Sequence, residues 1–116
     1  MSKGCFTMVK GLEVFQSHWK SFPVQHMRFF FEVARNDLER REWGVMEMAE
    51  RLGVPQATAS RHIQDLSKWN APKGHDPLDL VTTRTSPDDY RKRIPMLTNK
   101  GLQVYRRLDA ILSNRA

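Results

Sequence analysis

The stretch MEMAERLGVPQATASRHIQDL, Met46–Leu66, reads as two short helices joined by a tight corner. Val45, Met48, Ala49 and Leu52 fall on one face of the first helix at helical spacing. Gly53 stands where a helix must stop at a positive φ, which glycine adopts without a steric penalty. Val54 is an apolar plug between the helices. Pro55 suits the first helical position, because its missing N–H would have no intrahelical partner there. The second helix turns Ala59, Ile63 and Leu66 inward and Gln56, Ala57, Ser60, Arg61 and Gln64 outward. That outer face is small, mostly polar and free of acidic residues. It fits a major groove, where amide and guanidinium heads match base edges and hydroxyls match phosphates. Arg61 is the foremost candidate for a guanine or phosphate contact, and Thr58 and Ser60 suit the DNA backbone. The pattern predicts a helix-turn-helix and a double-stranded DNA partner. A solvated face in a protein-binding domain is the competing reading.

At 116 residues with 40% hydrophobic content, the chain has the length of one domain, 1–116. No apolar run approaches the roughly 18 residues of a membrane span. The N-terminus lacks the apolar segment of a signal peptide, and the single cysteine cannot form an internal disulfide. A cytoplasmic location is expected. The net charge of +6 is unevenly placed. Residues 84–107 carry seven basic side chains against Asp88 and Asp89, whereas residues 37–70 carry five basic against six acidic. Attraction to a phosphate backbone must therefore come chiefly from the segment after the helix-turn-helix.

Outward from the central motif, apolar residues Phe6, Val9, Leu12, Val14, Phe15 and Trp19 predict a first helix over 6–20. It breaks before Pro23, which biases Phe22 away from helical geometry. Val24 to Arg35 predicts a second helix burying Met27, Phe30, Phe31 and Ala34, with Phe29 left on a flank. Asn36 to Trp43 is a charged connection leading to Gly44 and the helix-turn-helix, 45–68. Asn70 to Pro77 is loop by composition. Leu80-Val81-Thr82-Thr83-Arg84 and Arg91 to Leu97 read as two strands around the turn Ser86-Pro87-Asp88-Asp89, and Pro95 suits an edge. Thr98 is a good N-cap for a last helix within 98–113, with Leu102, Tyr105, Leu108 and Leu112 on one stripe. The expected fold is mainly α with a two-stranded β wing over 80–97, a winged helix-turn-helix.

Two blocks of sequence resemble the MarR (multiple antibiotic resistance regulator) family of winged-helix transcription factors. One is Ala49, Leu52, Gly53, Thr58, Ser60, Arg61, Ile63 and Leu66. The other, more particular, runs Asp89-Tyr90-Arg91-Lys92-Arg93-Ile94-Pro95-Met96-Leu97-Thr98-Asn99-Lys100-Gly101 and is similar to the family's wing signature, Asp-x-Arg before a strand ending Leu-Thr-x-x-Gly. Phe22-Pro23-Val24-Gln25 is similar to the family's entry into the helix before the DNA-reading pair. The resemblance covers about residues 22–105. It implies that Arg91 enters a minor groove, where a guanidinium is favoured by the negative potential, and that Asp89 holds it or a neighbour in place. Arg84, Lys92 and Arg93 would lie on phosphates. It also implies a homodimer on a near-palindromic operator, acting in transcription regulation as a repressor.

The chain departs from the family in two places. Fourteen positions separate Leu66 from Leu80, enough to lengthen the recognition helix through Trp69 or to form a surface loop. About fifteen residues follow Gly101, where the family has two dimer-building helices. The N-terminal helix, with Phe15 and Trp19, is therefore expected to carry the dimer interface.

Other chemistry finds little footing. Cys5 has only Lys3 and Lys10 nearby in sequence to activate it, so a passive thiol is expected. His18, His26, His62 and His75 show no ligand spacing, and no metal or cofactor is expected. Phe29-Phe30-Phe31 reads as core. No phosphate-cradling glycine loop, carboxylate pair or nucleophile motif points to an enzyme. The alternatives to a regulator are a winged-helix adaptor for protein partners, and a phage or plasmid DNA-binding protein of replication, partition or packaging.

Overall fold

A computed structural model describes residues 2–113. The helices are α1 (Lys3–His18), α2 (Val24–Leu38), α3 (Val45–Leu52), α4 (Gln56–Asp65) and α5 (Asn99–Leu112), with strands β1 (Val81–Thr85) and β2 (Arg93–Leu97) between α4 and α5. The strands pair antiparallel from Val81↔Leu97 to Thr85↔Arg93. The architecture is the expected one, mainly helical with a two-stranded wing. None of the described helices is long and apolar enough to cross a membrane.

α2 is the central strut, packed on β2 and α4, while α1 packs on α5. Phe29, Phe30 and Val33 are fully buried. Phe29 therefore belongs to the core and not to a flank, because α4 packs against α2 there. Its ring meets His62 of α4 at 5.3 Å between centroids. Phe31 and Met27 are only partly buried. In α1 the departure runs the other way: Val14 and Phe15 are buried, whereas Phe6, Val9 and Leu12 are exposed. Phe15 packs edge-on against Phe30 of its own core, 5.7 Å between centroids. It is thus unavailable to a partner. Trp19 also folds inward, 5.5 Å from the Phe22 ring.

The charged connection after α2 is built inward as well. Glu32 and Asn36 are buried on α2. The Arg41 guanidinium donates to the Glu32 carboxylate at 2.9 Å, to the Glu32 carbonyl at 3.0 Å and to Asn36 Oδ1 at 3.0 Å. It also lies 3.5 Å from the Trp43 ring centroid. Asn36 Nδ2 donates to the carbonyls of Trp43 and Pro95, at 2.9 and 3.1 Å. One side chain thus ties the entry of the helix-turn-helix to the second wing strand.

Several boundaries move by a residue or two. Pro55 is the N-cap of α4 and not its first residue; its φ of −61° and ψ of 148° are extended, and its carbonyl accepts the Ala59 N–H. β2 starts at Arg93 and not at Arg91, because the turn takes up the intervening residues. The insertion after α4 is a loop and does not lengthen the helix beyond Asp65. The Leu66 carbonyl accepts the N–H groups of Leu80 and Val81, at 2.8 and 3.1 Å, which closes the loop at its base. Leu78 is buried beneath it, and Trp69 points outward. At α5, Thr98 Oγ1 caps the Gly101 N–H at 2.9 Å. The buried stripe is Gly101, Val104 and Leu108, while Leu102 and Tyr105 are half-buried and Leu112 is exposed.

Candidate nucleic-acid interface

The corner Gly53-Val54-Pro55 sets the angle between α3 and α4. Gly53 has φ +68° and ψ 34°, and its N–H closes the last turn of α3 on Glu50. Ala59 and Ile63 then face the core, so helical geometry turns Gln56, Ala57, Arg61 and Gln64 out to solvent, with Thr58 and Ser60 half-buried. Arg61 and Gln64 are exposed, as they would not be on a core helix.

The wing reaches the same side. An open groove runs between Gln56 and Ser60 of α4, Val45 and Met46 of α3, and Asp89 with Arg91–Arg93 of the wing. Of the residues expected to bind DNA, this groove brings together Gln56, Ser60, Asp89, Arg91, Lys92 and Arg93. Ala57, Thr58, Arg61 and Gln64 lie on α4 outside it. Arg84 is at mid-strand on β1, its guanidinium 3.6 Å from the Glu42 carboxylate.

Local bonds shape the wing tip. The Ser86 N–H donates to the Lys92 carbonyl at 3.0 Å, and the Lys92 N–H donates to the Asp89 carbonyl at 2.9 Å. Asp89 Oδ1 accepts the Arg91 backbone N–H at 2.9 Å. Asp89 therefore holds the backbone at Arg91, whose guanidinium lies 5.6 Å from the Tyr90 ring centroid. Tyr90 beside it is 77% exposed. Sequence reasoning passed over Tyr90; an aromatic at an otherwise polar turn was the available signal. Met46, also exposed, lines the groove from α3.

Lys92 is already engaged. Its ammonium is 2.8 Å from Glu47 Oε1, and Glu47 Oε2 accepts the Gly44 N–H at 2.7 Å, capping α3. Burial opposes the Glu47 carboxylate, but the Lys92 ammonium and the backbone N–H groups outweigh it and hold its pKa below the ordinary glutamate value. Arg91 and Arg93 are exposed. They are the freer cations of the wing.

His62 lies on α4 next to Arg61. Burial first, then the neighbouring His26, lowers its pKa, with Asp65 opposing. His18 is lowered by burial, Lys100, Arg107 and His75. Below the ordinary histidine value of about 6.5 the unfolded chain then binds more protons than the folded one. Stability is expected to be lost as pH falls through that value. Urea midpoints measured at about pH 7.5 and about pH 5.5 check this, and His62→Gln should flatten the difference. An equal midpoint at both pH values would contradict it.

Helices joined at a glycine corner, with an antiparallel hairpin beside the second of them, define a winged helix-turn-helix, the class of DNA-binding transcription regulators. Residues 38–71 match the IclR helix-turn-helix domain. The match covers the end of α2, the helix-turn-helix and the start of the following loop, and stops short of the wing. No curated protein matches the chain.

Proposed function

We propose that the protein binds a specific duplex DNA sequence as a MarR-like homodimer on a near-palindromic operator, and represses transcription. One observation carries the reading: the acid-free face of α4 stands in solvent beside a cationic wing, with an open groove between them. In this reading residues 1–116 act as one DNA-binding unit. Gln56, Ala57, Arg61 and Gln64 read bases in the major groove, and Thr58 and Ser60 meet its backbone. Arg91 enters the minor groove while Asp89 shapes the turn that presents it, and Arg84, Lys92 and Arg93 lie on phosphates. The MarR-like assignment rests on the run from Asp89 through Leu97-Thr98 to Gly101. Repression rests on that resemblance alone.

Selection of bound sequences from a random duplex pool tests the reading, with an inverted repeat as the expected product. Arg61→Ala should cost about 1–3 kcal/mol on the selected sequence and relax preference at one position. Arg93→Ala should weaken selected and random DNA alike and reduce the salt slope by about 1. Lys92→Ala should act in the same way, less the ion pair it breaks with Glu47. Equal losses on both DNAs for Arg61→Ala would remove its base-reading role. Absence of DNA binding at low salt would return the protein-adaptor reading.

The dimer is proposed to form through α1. Phe6 and Met8 are 52% and 57% exposed, beside the exposed Val9 and Leu12 and the Leu112 end of α5. A second copy presents the same apolar strip, as a two-fold interface requires. Met8→Asp is expected to convert the dimer to a folded monomer in sedimentation and to weaken operator binding. An unchanged sedimentation coefficient would place the interface elsewhere.

A further inference from the structure

We propose that His26 and His62, with Asp65 holding the His26 ring, form a binding site for a divalent transition-metal ion at the joint between α2 and α4. Each residue offers one ligand atom, and these atoms lie within 4.8 Å of one another. The His26 and His62 rings are 4.1 Å apart between centroids. Bonds of about 2.0–2.1 Å at tetrahedral angles separate ligand atoms by about 3.3 Å, so rotation of the two rings suffices to close the pair.

The protonation pattern of the two rings is the independent observation. His26 Nε2 lies 2.9 Å from Asp65 Oδ2, and His62 Nε2 lies 2.5 Å from Gln25 Oε1. Both partners are acceptor oxygens, so Nε2 carries the proton in each ring. The two Nδ1 atoms are then lone pairs, and both are buried without a hydrogen-bond partner among the described residues. His26 is itself 7% exposed. Two adjacent, buried, unpaired acceptors are costly in a purely structural cluster. An ion held by the two Nδ1 atoms satisfies both, and Asp65 and Gln25 then fix the rings from the Nε2 side, as carboxylate and amide oxygens do for metal-binding imidazoles. Asn70 Nδ2 in turn donates to Asp65 Oδ1 at 2.6 Å and orients that carboxylate.

Two imidazole nitrogens, with water completing the coordination, suit zinc, cobalt, nickel or copper better than magnesium or calcium. His62 and Asp65 sit three residues apart on α4, and His26 is on α2. A bound ion therefore clamps the outward-facing helix to the central strut. The site stands whether or not that helix reads DNA.

Cobalt titration of the full chain carrying Cys5→Ser tests the site with the exposed thiol removed. One Co2+ per chain should bind with intensified visible ligand-field bands, and Zn2+ should displace it. Zn2+ should also raise the melting midpoint, while Mg2+ should not. His62→Gln and Asp65→Asn change half-buried positions, and each should lower Co2+ affinity by at least about tenfold while the far-UV spectrum is kept. A cobalt spectrum that stays that of the aqua ion would overturn the proposal, and so would unchanged affinity in both variants. If the variants fail to fold, the cobalt spectrum of the Cys5→Ser chain decides alone.

Discussion

Gly101→Ala is expected to destabilise the fold by about 3 kcal/mol or more, the upper range for forced overpacking. A Cβ built on Gly101 would lie 2.0 Å from the Leu80 carbonyl oxygen and 3.3 Å from Leu97 Cδ2. That carbonyl cannot swing aside cheaply. It accepts the Thr98 N–H at 3.1 Å, and the N–H groups of Leu80 and Val81 are both held by the Leu66 carbonyl. Thr98 adds a further tie through Oγ1, which donates to the Asp79 carbonyl at 2.7 Å. α5 is thus seated directly on the backbone that enters the wing, and only hydrogen fits at position 101. Relief would require moving α5, β1 or the base of the loop together. Against a typical total of about 5–15 kcal/mol, the loss is severe. Urea unfolding at unchanged m-value measures it, with Gly4→Ala as the control, since a Cβ there meets nothing within 4 Å. A Gly101→Ala variant as stable as the parent would contradict the seating of α5.

Arg41→Met is expected to cost about 3 kcal/mol, at the lower end for breaking a buried ion pair. The Glu32 carboxylate is 5% exposed and Arg41 12%, whereas the other cations near Glu32, Arg28 and Arg35, are 61% and 46% exposed at 3.7 and 3.4 Å. Those two partners remain in the variant and keep the loss from being larger. Removal of Arg41 also takes a donor from Asn36 Oδ1 and the stacked plane from Trp43. The effect should therefore spread to the Trp43 and Pro95 carbonyls that Asn36 holds. Pairing the substitution with Glu32→Gln should recover part of the loss, because the uncompensated buried charge disappears. A double-mutant cycle in urea reads the coupling. Strict additivity would show that the pair contributes nothing beyond its separate side chains.

The two substitutions illustrate different degrees of legibility. Gly101 was visible in the Leu-Thr-x-x-Gly run, although its reason, the close approach of the Leu80 carbonyl, lies twenty-one residues away in sequence. Arg41 was not visible. The stretch from Asn36 to Trp43 has the composition of a solvated connection, and nothing local says that Glu32 and Asn36 turn inward to meet it. The outward face of α4 was legible because Ala59, Ile63 and Leu66 announce the opposite face by period. The role of Asp89 was only half legible: that it holds something near Arg91 followed from the motif, and that it holds the backbone N–H required coordinates. His62 shows no ligand spacing in the sequence, since its partners His26 and Gln25 come from a different helix.

Sequence alone determined the elements and the corner between α3 and α4, because caps, a positive-φ glycine and helical periodicity act within a few residues of themselves. Tertiary structure alone decided which faces are covered. Phe29 is buried because α4 lies across it, and Phe6 and Val9 are exposed because none of the described residues covers that face of α1. Burial depends on a partner surface, and the pairing of surfaces distant along the chain is set by the packing of the whole core.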